Sequence, residues 1–212
     1  MSIIELSNVS KSLNGIPLFA NVNLKVEKGE IYGIRGHNGS GKSVLFKIMC
    51  GFMKPDSGLV KINHHYKNEK DDFPEKFGVL IDQPGYKANQ TGFDNLKSLA
   101  AINDLISDQD IRQAMERVGL NPDIKQKMRN YSLGMKQKVG IVQAFMEGQE
   151  VLLLDEPFNA LDVASVNQVR DLILGFKKEG KTVVLTSHNQ EDLDLLCDQQ
   201  YLINQESLER IK

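Results

Sequence analysis

Eight consecutive residues, Gly36-His37-Asn38-Gly39-Ser40-Gly41-Lys42-Ser43, fit the pattern G-x-x-x-x-G-K-[ST]. Glycines at these spacings let the backbone curl until several N–H groups point at one spot, which is how a loop cradles phosphate oxygens. An apolar run from Ile31 to Ile34 precedes the loop and a helix-like run from Lys42 to Cys50 follows it. A helix N-terminus therefore adds the positive end of its dipole at the same place. In that setting Lys42 would reach the β- and γ-phosphates of a nucleoside triphosphate, and Ser43 would offer its hydroxyl to Mg2+. A second run, Val151-Leu152-Leu153-Leu154-Asp155-Glu156-Pro157, reads as a buried strand ending in two acids. There Asp155 can hold the Mg2+ shell beside the phosphate loop, and Glu156 can polarise an attacking water as a general base.

The rest of the chain must position these groups. Its 212 residues carry 26 Lys+Arg against 28 Asp+Glu, a net charge of −2, with 41% hydrophobic residues. That is the balance of an ordinary globular domain, and it excludes coating of nucleic acid through bulk positive charge. Two cysteines, Cys50 and Cys197, cannot build a disulfide framework, so a reducing compartment is expected. No apolar run reaches the 18 or more residues of a membrane span, and Met1-Ser2-Ile3-Ile4-Glu5 lacks the features of a signal peptide.

Periodicity predicts strands at Ile3 to Leu6, Val22 to Val26, Ile31 to Ile34, Leu59 to Ile62 and Phe77 to Ile81. The stretch from His64 to Glu75 reads as a solvated loop, with His64 and His65 in it lacking further metal ligands. Apolar residues three and four apart then predict helices over Phe93 to Leu105 and Ile111 to Val118, with Asp108 as N-cap of the second and Gly119 as its stop. Another helix follows Tyr131 as far as about Met146. From Val151 the order is βαβα, with a helix near Val163 to Lys177, a strand from Thr182 to Thr186 and a helix from Gln190 to Leu196. Runs without alternation imply strands covered on both faces, as in a parallel sheet. Phe145, Met146 and Phe158 read as packing residues, and Lys177-Lys178 as a solvated helix end. The fold expected is α/β: a P-loop NTPase core with a mixed or parallel sheet, an N-terminal antiparallel β part and a helical insertion. It forms a single domain over 1–212, in which 1–84 and 135–212 make the core and 85–134 the helical subdomain.

Three further segments carry a resemblance. Tyr131-Ser132-Leu133-Gly134-Met135-Lys136-Gln137, Asn159-Ala160-Leu161-Asp162 and His188 stand in the order and spacing of the signature loop, D-loop and switch histidine of the ATP-binding subunits of ABC transporters. The chain resembles that family over nearly its whole length. The resemblance implies ATP as substrate, Mg2+ as cofactor, and two subunits paired head to tail as a homodimer. Each ATP then lies between one phosphate loop and the partner's Ser132 and Gly134, whose helix N-terminus favours the γ-phosphate. It further implies that Asp162 sits across the interface and that His188 contacts the γ-phosphate region. A separate membrane permease would be the partner, which puts the chain in the cytoplasm, peripheral on the inner face of the cell membrane, with no nucleic acid involved.

Three positions depart from the family pattern. Leu13 stands where an aromatic stacks on adenine, a contact worth about 1–3 kcal/mol for bases on aromatic rings. In Gly78-Val79-Leu80-Ile81-Asp82-Gln83-Pro84, Asp82 falls at the usual glutamine position near Mg2+, with Gln83 one step beyond as the alternative. The signature reads Ser-Leu-Gly-Met-Lys, a variant similar to that of bacterial exporters of peptides, drugs or polysaccharides. The competing reading is a soluble ABC ATPase in a non-transport role such as iron–sulfur assembly.

Overall fold

The structure, a computed structural model, describes residues 1–68, 70–82 and 85–212. Strands β1 (Ser2–Leu13) and β2 (Ile16–Glu27) form an antiparallel hairpin closed by Asn14-Gly15. Both turn residues have positive φ, 52° and 78°, the pairing that matches the right-handed twist of the strands. Next come β3 (Ile31–Arg35), α1 (Lys42–Met49) and β4 (Ser57–Ile62), and β4 pairs with β1 to complete a three-stranded sheet in the order β2-β1-β4.

A second sheet of six strands holds the site. It takes β5 (Phe77–Leu80), β6 (Val151–Leu154), β7 (Thr182–Thr186), β8 (Gln199–Asn204) and β9 (Ser207–Arg210), in the order β5-β6-β7-β3-β8-β9. All neighbours are parallel except the edge pair β8–β9. Helices α2 (Gly92–Asn103), α3 (Asp108–Arg117), α4 (Leu133–Phe145), α5 (Val163–Lys178) and α6 (Gln190–Leu196) complete the chain. Side chains alternate across the buried strands. Leu152, Leu154, Val183 and Leu185 enter a core shared with Leu96, Met115, Val142 and Ile173 of α2 to α5. Val151, Leu153, Val184 and Ile34 face the other way, onto Leu45 and Phe46 of α1 and Ile4, Leu6 and Val26 of the hairpin. The central strands are thus apolar on both faces because both faces are covered.

The sequence reading needs four adjustments. Tyr66 is buried inside the supposedly solvated loop, and its hydroxyl lies 3.1 Å from Glu150, so the loop is pinned to the start of β6. The cap of α3 is Ser107, not Asp108: Ser107 and Asp110 satisfy each other's backbone N–H groups in a capping box. Lys177 is ion-paired with Asp198 instead of being merely solvated. Strands β8 and β9 lie beyond the strands that periodicity predicts, because the polar Gln199-Gln200 start blurs the pattern.

Gly78 shows how tightly α4 sits on β5. A Cβ there would lie 1.6 Å from the Ala144 carbonyl oxygen. Gly78→Ala is therefore expected to cost about 3 kcal/mol of stability or more, measured by urea denaturation.

Candidate active site

Strand β3 delivers the chain to Gly36, and the loop that follows enters α1 through Gly41, whose φ of 93° is left-handed. A Cβ on Gly41 would also stand 3.1 Å from the Leu18 Cβ and 3.2 Å from the Phe19 ring, so β2 backs the loop closely. Lys42 is 7% exposed, and its Nζ folds back to donate to the carbonyls of Gly36 at 2.9 Å and His37 at 3.3 Å. The His37 ring turns onto the Asn38 carbonyl at 2.8 Å. Ser40 is buried, and among the described residues its Oγ finds no partner.

Strand β6 brings Asp155 to the start of α1. One carboxylate oxygen accepts from the Ser43 hydroxyl and the other from Thr186 Oγ1 at 2.7 Å. Thr186 Oγ1 also accepts from the Glu156 backbone N–H at 2.7 Å, so one hydroxyl at the end of β7 fixes both acids. Sequence reasoning assigned Thr186 no role. The signal available in the sequence is a threonine closing an apolar strand.

Glu156 has a φ of 49°, which turns the chain sharply after β6. Its side chain is 16% exposed, with Lys42 Nζ at 4.0 Å and His188 Nε2 at 3.0 Å. Among the described residues Glu156 Oε1 is buried and accepts no hydrogen bond, although the His188 ring stands beside it. Burial pushes the Glu156 carboxyl above the ordinary range, against the pull of His188 and Lys42. His188 itself is carried on a braced turn. Ser187 donates to Asp192 Oδ2 at 2.7 Å and accepts from Asn189 N at 3.1 Å, while Arg170 of α5 holds Asp192 at 2.5 Å.

A cavity of about 380 Å3 runs from Leu13 and Leu18 past Asn38, Gly39, Gly41, Lys42 and Ser43 to Asp155, Glu156 and His188. Beyond the Asp155-Glu156 turn lies a second cavity of about 450 Å3, lined by Asp82, Leu133, Lys136 and Gln137. Asp82 shares that cavity with Asp155 and Glu156, yet its carboxylate pairs with Lys47 at 2.6 Å. Gln83 lies outside the described residues. Ser132 caps α4 by accepting from Met135 N at 3.1 Å, and Asp162 caps α5 by accepting from Ser165 N at 2.7 Å. A Cβ on Gly134 would lie 2.6 Å from the Ala160 carbonyl, and Gln137 donates to the Glu156 carbonyl at 3.0 Å, so α4 is tied to the turn after β6. Within one chain, Ser132, Gly134 and Asp162 do not line the phosphate-loop cavity.

The Ser43 hydroxyl and Asp155 carboxylate, already in contact, form a hard oxygen pair of the kind Mg2+ shares with substrate phosphates. Among the described residues no cluster of three or more His, Cys, Asp or Glu side chains could hold a metal by itself.

A phosphate loop between β3 and α1, facing an acid at the end of a parallel strand, defines the P-loop NTPase class. The ABC transporter family matches residues 19–159, and the chain belongs to it. It is 39% identical over 196 residues to YybJ, an uncharacterized ABC transporter ATP-binding protein of Bacillus subtilis, covering 92% of this chain and 90% of that one. With the bacitracin transport ATP-binding protein BcrA of Enterococcus faecalis it shares 35% identity over 92% of its length, and it spans 64% of that longer protein. The lantibiotic transport ATP-binding protein SrtF of Streptococcus pyogenes is 32% identical, with 92% of this chain and 84% of that one covered. Among solved structures, a dimeric ATP-binding cassette, MJ0796, in a post-hydrolysis state bound to ADP and Pi, superposes with a TM-score of 0.86 at 22% identity over 99% of both chains. Among the described residues no helix is long and apolar enough to cross a membrane.

Because Glu156 takes up a proton more readily folded than unfolded, it favours the fold at low pH and loses that contribution as pH rises through its folded value. Glu156→Gln is therefore expected to raise the thermal midpoint at pH 8, with the gain shrinking toward pH 4.5. Calorimetry across that range checks the sign.

Proposed function

We propose that this chain is the ATP-hydrolysing subunit of an exporter-type ABC transporter, working as a head-to-tail pair beneath a separate permease on the inner face of the cell membrane. One observation carries the reading. The phosphate-loop cavity contains the lysine, the hydroxyl and both acids, but Ser132 and Gly134 stand away from it on the far side of the Asp155-Glu156 turn. A second copy, supplying its own α4 N-terminus, completes the set with backbone N–H groups and a helix dipole directed at the γ-phosphate.

In this mechanism Lys42 gives up the Gly36 and His37 carbonyls for the β- and γ-phosphates, and the N–H groups of Gly39 to Ser43 wrap the triphosphate. Ser43 and Asp155 would hold Mg2+, which supplies charge neutralisation on the phosphates when bound. Asp82 can approach that region only by leaving Lys47. Glu156, partly desolvated, takes the proton of the attacking water; its raised affinity for a proton suits a general base working near neutral pH. His188, already against Glu156, orients that carboxylate and meets the γ-phosphate. Asp162 serves the partner's side of the interface while keeping its cap on α5.

The division into a core, 1–84 with 135–212, and a helical part, 85–134, gives the permease its dock. Ile102 near the end of α2 and Leu105 in the loop after it are 75% and 68% exposed, and a cavity of about 520 Å3 lined by Asp82, Leu99 and Ile102 lies between α2 and β5. Likeness to the bacitracin and lantibiotic transport proteins points to peptide antibiotics as the class of cargo.

Glu156→Gln is expected to keep ATP binding, lower turnover about 10²–10⁴-fold and accumulate an ATP-bound dimer on size exclusion. Lys42→Ala is expected to lose ATP binding in equilibrium dialysis. Normal turnover in the first variant or normal binding in the second would sink the assignment.

A further inference from the structure

We propose that Thr186 is the positioning residue for both acids of the site. Its hydroxyl sets which oxygen Asp155 turns toward Ser43, and it holds the Glu156 backbone in the conformation that presents the Glu156 carboxylate. This role rests on the parts given above to Asp155 and Glu156 and deepens them.

Thr186 ends β7, the strand between β6 and β3. It is in register with Ile34 of β3, two residues before Gly36, and it follows Leu185, the register partner of Leu154. One residue thus stands between the strand that feeds the phosphate loop and the strand that ends in the acids. Its side chain is fully buried. A hydroxyl has one proton to give and lone pairs to accept with. Here the Glu156 N–H occupies a lone pair at 2.7 Å, and the proton goes to Asp155 Oδ1, also at 2.7 Å. Branching at Cβ leaves threonine few rotamers, so the oxygen is held in place.

For Asp155 this reserves Oδ1 and leaves Oδ2 to Ser43. For Glu156 it supplies a partner that the sheet no longer gives. The Asp155 N–H still donates to the Leu80 carbonyl at 2.7 Å, continuing the pairing of β6 with β5, whereas the Glu156 N–H turns to a side chain. The Glu156 carbonyl accepts from Gln137 Nε2 at 3.0 Å and from Asn159 N at 3.2 Å. A glutamate at a φ of 49° is strained, and it persists only where its surroundings over-determine it. Among the described residues the carbonyl has two donors, and the N–H has the Thr186 oxygen as its one acceptor. Losing that oxygen therefore frees the turn on the side that β7 controls, and frees Asp155 Oδ1 at the same time.

The test compares the purified full chain with Thr186→Val, Thr186→Ala and Thr186→Ser. ATP hydrolysis gives kcat and KM, and EPR of Mn2+ with a non-hydrolysable ATP analogue gives metal affinity without turnover. Thr186→Val is expected to bind metal-free ATP as the parent does, because Lys42 and the loop are untouched. Its kcat is expected to fall about 10²-fold and its Mn2+ affinity about tenfold. Thr186→Ala lacks the same oxygen and carries the same expected losses, so the measurement stands even if the valine variant does not fold. Thr186→Ser keeps the hydroxyl and is expected to restore both quantities. In the Glu156→Gln background, Thr186→Val is expected to remove little further turnover, since the carboxylate it positions is already gone. A folded valine or alanine variant with either kcat or Mn2+ affinity unchanged overturns the proposal, as does a loss that serine fails to restore. A merely structural role would lower the urea midpoint and leave Mn2+ affinity in place. Normal turnover in Glu156→Gln alone would instead take away the general base, and its positioning with it.

Discussion

Two carboxylates side by side at the end of a buried strand are the constraint around which this molecule is arranged. Asp155 and Glu156 follow four residues that are entirely enclosed, and both acids are themselves half-buried. Burial of charge without partners is costly, and the fold answers with a ring of specific donors. Ser43 and Thr186 take the two oxygens of Asp155, while Lys42 and His188 stand beside Glu156. Those donors arrive on α1, β7 and the turn after β7, so satisfying the acids dictates that β3, β6 and β7 be neighbours in one parallel sheet.

The same requirement explains the two-sided core. A strand carrying two acids at its end can only be buried to that depth if helices and sheet cover both faces. The hairpin and α1 cover one face and α2 to α5 the other. The helical insertion is therefore not an appendage with a core of its own: Leu96, Ala100 and Met115 pack in the same cluster as Leu152 and Leu185. Movement of α2 and α3 would be felt at β6, and so at the acids. Gln137, which joins α4 to the Glu156 carbonyl, is a direct link of that kind.

Glu156 is left incompletely satisfied. One oxygen is buried with no aligned donor, its backbone sits at positive φ, and its carboxyl holds its proton more tightly than usual. Strain and unmet hydrogen bonding concentrate where a site must change partners during its work. By contrast Asp192, buried more deeply, is matched by Arg170 and Ser187 and serves to hold the turn that carries His188.

How much of this was legible in the chain depends on how far apart in sequence the partners lie. The glycine-rich turn into α1, the strand end at Asp155-Glu156 and the apolar strands are local patterns, set by glycine freedom, by period and by the chemistry of adjacent residues, although β1 and β2 run well beyond the apolar stretches that mark them. A capping box is local too: Ser107 and Asp110 stand at a readable spacing of three, although the sequence also offers Asp108 as the cap. What tertiary structure alone decided are the meetings of side chains from distant segments. Ser43 with Asp155 spans 112 residues, Tyr66 with Glu150 spans 84, and Thr186 joins both acids across about 30. No period or propensity encodes such pairs, because each is a consequence of sheet order. The placement of Leu13 against the phosphate loop is of this second kind. Its type was plain in the sequence, but only the hairpin folding over α1 set an aliphatic side chain at the end of the cavity.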